Sequence, residues 1–195
     1  MATAILLAII GGELLLQRNY GTVDAHSDWP RQALSPALLT AAIMAILLLA
    51  VVLIVTAVGE SGPGQEPGWI PTTVASAVVG LVSVPALLIA RLRSGIESTI
   101  SGLDGALQAI TMYRIVRTLA AFFTAQAGVL LSTASRAWPP VLGIPENPGP
   151  QSWQPAVTAG TLIIAVAVVI AGIPVRNLTG KPARPAARSE AEPAR

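Results

Sequence analysis

From Pro36 to Val58 no side chain carries a charge, and nearly every residue is Leu, Ile, Val or Ala. A hydrocarbon layer about 30 Å thick takes roughly 20 apolar residues to cross as an α-helix, so this stretch has the length of a membrane span. In lipid each backbone N–H and C=O must be satisfied inside the segment, and the helix does this for a continuous apolar run. Ser35-Pro36 supplies an N-cap followed by proline at the first helical position, and Gly59 supplies a stop.

Three further stretches have the same character. One runs from Ile70 to Ala90, with Pro71 at its start, Arg91 and Arg93 beyond its end, and Pro85 placed to kink its last turns. Another covers residues 115–134, and the last covers residues 155–175 before Arg176. Residues 2–17 are apolar apart from Glu13 and Gln17 and short for a span; they lack the basic start and small-residue cleavage site of a signal peptide. The expected fold is all-α: a polytopic membrane helix bundle of four transmembrane helices plus a short N-terminal fifth.

The charged residues orient this bundle. With the C-terminus in the cytoplasm, the inner segments hold Arg18, Arg31, Arg91, Arg93, Arg114, Arg117, Arg176, Lys181, Arg184, Arg188 and Arg195, leaving only Arg136 outside. The outer loops then carry Glu60, Glu66 and Glu146, and Trp69, Trp138 and Trp153 fall where an aromatic belt belongs. On this reading the N-terminus is outside if the fifth span exists. Residues 180–195, rich in Pro, Ala and Arg, have nothing to bury and are expected to be a disordered basic cytoplasmic tail.

Composition narrows the chemistry. Charged residues are 11% and apolar residues 53% of the 195, whereas a soluble domain carries about 25% charged residues. The net charge of +2 lies in a tail and beside apolar spans, without the basic face of a nucleic-acid binder, so no nucleic acid is expected. There is no cysteine, and His26 is the one histidine, which removes disulfides, thiol nucleophiles, Cys-based zinc sites and iron–sulfur clusters. No cofactor and no metal are expected. Asp24, His26 and Asp28 alternate as three ligands could on an extended segment, but short polar loops give that spacing by chance. An arginine-heavy, Ala-, Gly- and Pro-rich chain suggests a GC-rich bacterial genome and a plasma-membrane location.

Between the second and third spans, Ile96, Ile100, Leu103, Leu107 and Ile110 form an apolar stripe. Glu97, Ser101, Asp104, Gln108 and Thr111 form a polar stripe beside it, giving an amphipathic cytoplasmic helix over residues 94–112. Arg114 and Arg117 continue the apolar stripe. They either snorkel to the interface or form an anion or lipid-headgroup site between helices. Asp104-Gly105 is similar to the opening of the membrane CDP-alcohol phosphotransferase motif, but the Ala-Arg pair and later aspartates of that family are absent downstream.

Within the third span Ala120, Thr124, Gly128 and Ser132 are small residues four apart, and Ser76 and Gly80 give the second span a shorter version. This is the surface by which membrane helices approach closely. Gln126 lies mid-membrane in the third span, and the centres of the four long spans hold no Asp, Glu, Lys or His. Proton-coupled transport and intramembrane acid–base catalysis usually need one. The expected function is therefore a non-enzymatic accessory or interaction protein. Its partners would be the bilayer, including anionic headgroups, and a protein or second copy reached through membrane helices. The alternatives are a small transporter or transporter subunit, with Gln126 and Arg117 lining a path, and a lipid-acting enzyme using Glu97 or Asp104 with the two arginines.

Overall fold

An all-apolar helix has no intrinsic inner face, so its burial is decided by what it meets. The computed structural model describes residues 36–60, 67–92, 103–141, 143 and 154–173, together with residues 7, 8, 10–12 and 15. Helix α1 is Pro36–Gly59, α2 is Trp69–Leu92 and α3 is Leu103–Thr133. A 3₁₀ turn at Ser135–Ala137 leads into the short α4, Trp138–Val141, and α5 is Gln154–Gly172. No strand occurs among the described residues.

Around its circumference α1 is apolar, yet it buries Leu38, Ala42, Ala45, Leu49, Val52 and Thr56. These positions advance in steps of four and three, the period of a coiled-coil seam. Leu39, Ile43, Leu47, Val51, Ile54 and Val58 are exposed on the rest of the helix. The same stepping recurs on α2, where Thr72, Val79, Ser83, Ala86 and Ala90 are buried. Ser76, half-buried, completes that series. On α5 the series is Ala156, Gly160, Ile163, Ala167 and Ile170, with Gly160 and Ala167 fully buried.

All three seams dock on α3. It is the least hydrophobic of the four candidate spans, and 50% of its membrane window is buried, against 22% for α1, 22% for α2 and 11% for α5. Lipid tails solvate leucine and valine as well as a protein interior does, so the span with polar and small residues gains most from the centre. At one end Leu49 and Val52 of α1 pack on Ala127, Leu130, Leu131 and Ala134, flanked by Trp69 and Trp138. At the other end Leu38 and Ala42 pack on Val116 and Ala120, while Ala86 and Ala90 of α2 pack with Ile115.

Two of the expected elements are a single helix. The amphipathic segment and the third span run together in α3, 31 residues without a break through Gly105. At 1.5 Å per residue that is about 46 Å, longer than the hydrocarbon layer. Residues 94–102 lie outside the described residues. Pro85 does not break α2: the helix continues to Leu92, and Pro85 lies on the exposed side with Leu81, the residue one turn earlier.

Near the N-terminus the described residues are helical, and Ile10 packs against the cluster of Val79, Ala86, Ala90 and Ile115. The remainder of the expected fifth span is outside the described residues, as are Asp24, His26, Asp28, Trp153 and residues 180–195. The connection from α1 to α2 is tied by Glu60, whose Oε2 accepts a hydrogen bond from the Gly68 N–H at 2.8 Å. A carboxylate there also faces the positive end of α2.

Candidate functional site

The series Ala120, Thr124, Gly128 and Ser132 does not meet one neighbour. Four residues turn an α-helix by about 400°, so twelve residues drift by about 120°. Ala120 accordingly packs with Leu38 and Ala42 of α1. Gly128 instead faces α5: a Cβ built on it would lie 2.7 Å from the Gly160 carbonyl oxygen and 2.8 Å from Ile164 Cγ1. A Cβ on Gly160 would lie 2.6 Å from the Gly128 oxygen and would also run into Ser132. The two backbones therefore touch. Gly160 was not singled out from the sequence, although Ala156 and Gly160 form their own small pair four residues apart.

The hydroxyls of this series are satisfied locally. Thr124 Oγ1 donates to the Ala120 carbonyl at 2.7 Å and Ser132 Oγ to the Gly128 carbonyl at 2.9 Å. On α2 the shorter pair divides. Ser76 belongs to the buried seam, and its Oγ is buried without a hydrogen-bond partner, whereas a Cβ on Gly80 would meet nothing within 4 Å. Among the described residues Gly80 thus makes no close approach to another helix.

The two arginines also divide. Arg117 is half-buried; its Nη1 donates to the Ile173 carbonyl, just past the last residue of α5, and its guanidinium carbon lies 5.7 Å from the centre of the Tyr113 ring. A cation at the carbonyl end of a helix meets both the unpaired C=O groups and the negative end of the macrodipole. The aromatic face adds a cation–π contact. Arg114, one turn earlier, is exposed. One guanidinium thus closes a helix end and the other faces outward, in place of two converging on one anion.

Gln126 follows Arg117 by nine residues on the same unbroken helix, so the two point to opposite sides, about 180° apart. Asp104 lies on α3, and Glu97 is outside the described residues. Among the described residues no group of three acidic or imidazole side chains could hold a metal ion.

Four apolar helices of membrane-crossing length, three of them docked on the fourth, define a polytopic α-helical membrane protein. Compared with protein-family models, curated proteins and solved structures, the chain matches none of them.

Proposed function

We propose that this protein is a non-enzymatic integral membrane accessory or interaction protein. The observation that carries this reading is the opposition of Arg117 and Gln126 on α3. The two side chains that a polar path would need cannot line one channel wall. The contact between Gly128 and Gly160 is consistent with this, since it leaves no room between α3 and α5 at that level.

The distribution of arginine and tryptophan supports a C-terminus in the cytoplasm and an N-terminus outside if it spans, and the Arg-, Ala-, Gly- and Pro-rich composition supports a bacterial plasma membrane. Arg114, exposed near the start of the membrane-length stretch of α3 and far along the helix from Trp138, suits contact with anionic lipid headgroups. The small-residue face of α3 is covered by α1 and α5. A protein partner or second copy would therefore use the outward faces of the peripheral helices, among them the open flank of α2 at Gly80.

The test is extraction of the tagged chain from its native membrane into lipid nanodiscs. A companion protein or second copy in fixed stoichiometry is the expected result. A monomer without companion, together with solute flux through the purified protein in liposomes, would replace this reading with a transporter.

A further inference from the structure

We propose that Thr56 and Trp138 hold a buried water molecule beneath the turn that closes one end of the bundle. Thr56 is 0% exposed, and its Oγ1 has no hydrogen-bond partner among the described residues. Several other threonines of the spans are satisfied within their own helix. Thr40, Thr73, Thr124, Thr133 and Thr161 each donate back to the carbonyl four residues earlier. Such back-bonding is the ordinary resource of a helical threonine, and Thr56 forgoes it in a fully buried position.

The second orphan lies on the facing element. Trp138 Nε1 is buried without a partner, and the indole packs on the cluster that contains Val52, the seam position before Thr56. Gly59, the next seam position, is pressed on Ala137, the residue before Trp138; a Cβ there would lie 2.9 Å from that of Ala137. Thr56 and Trp138 therefore flank one contact between α1 and the 135–141 cap.

Their chemistry is complementary to water. An indole N–H only donates, and a hydroxyl both donates and accepts. A water accepting from the indole and exchanging a hydrogen bond with the hydroxyl satisfies both. The last turn of α3 and the residue after it pack in the same cluster as Trp138 through Leu130 and Ala134, and carbonyls at a helix end lack intrahelical donors. Three hydrogen bonds are typical of a buried structural water. Such a water would pin the α1 end to the cap in a region that lipid cannot hydrate.

The experiment follows the Trp138 indole N–H by NMR in the full chain in nanodiscs, with the resonance assigned by its loss in W138F. A cross-relaxation peak between this proton and a long-lived water is expected in the native protein, retained in T56S and lost in T56V. The Tm losses of T56V and W138F should also be less than additive in the double variant. Absence of the water peak in the native protein, its persistence in T56V, or a direct indole-to-threonine contact without water would overturn the proposal.

Discussion

Gly128 and Gly160 meet backbone to backbone where α3 crosses α5, each placed so that a Cβ on it would fall within 2.7 Å of the other's carbonyl oxygen. Either residue with a side chain would force the helices apart. Glycine is ordinarily the poorest residue but proline inside a helix, so its presence at both positions is repaid only by this approach.

Alanine at either position should therefore destabilise the bundle. Gly160→Ala meets the Gly128 carbonyl and both the backbone and hydroxyl of Ser132 on α3, and overpacking of this kind costs about 1–3 kcal/mol. Gly80→Ala meets open space and should be neutral, or stabilising by up to about 1 kcal/mol, because alanine favours the helix. Thermal unfolding of the two variants in the same detergent compares them directly.

Arg117 and Arg114 should separate in the same way. Loss of the Arg117 cap frees the Ile173 carbonyl, at a cost of about 1 kcal/mol. Hydrogen exchange in the last turn of α5 should then accelerate in Arg117→Ala and stay unchanged in Arg114→Ala. Equal acceleration in both would mean that the arginines act as one electrostatic patch.

Glu60 accepts the Gly68 N–H at the start of α2. Glu60→Ala leaves that donor without its carboxylate and should lower stability by about 1 kcal/mol. Glu60→Gln keeps an acceptor oxygen and should lose less. The comparison separates the hydrogen bond from the charge and is read from unfolding midpoints.

The sequence contains no cysteine, so single cysteines report topology cleanly. Arg136 lies just past the C-terminal end of α3 and Arg114 near the start of its membrane-length stretch, and both are exposed. With the proposed orientation, a membrane-impermeant maleimide labels Arg136→Cys in intact cells and Arg114→Cys only after permeabilisation. The reverse pattern would invert the bundle.

The four spans were legible in the sequence because uninterrupted apolar length is a one-dimensional property. Pro36, Gly59 and the residues around Trp69 and Gly172 bound helices within a few residues of the expected ends. Other features were not legible. The packing partner of Ala120, Thr124, Gly128 and Ser132 was not, because spacing reports a face but not which neighbour covers it. Ser76 and Gly80 looked alike as small residues, yet one lies in a seam and the other beside open space.

What the sequence determined by itself is that these segments are helices long and apolar enough to cross a membrane, since lipid leaves a continuous apolar run no other way to satisfy its backbone. Only the tertiary structure decided which faces are interior. A leucine gains almost nothing by leaving lipid for protein, so burial pattern in α1 could not be read from hydrophobicity. It is set by where small side chains and backbones fit, as Gly160 does against Gly128 and Arg117 against the end of α5.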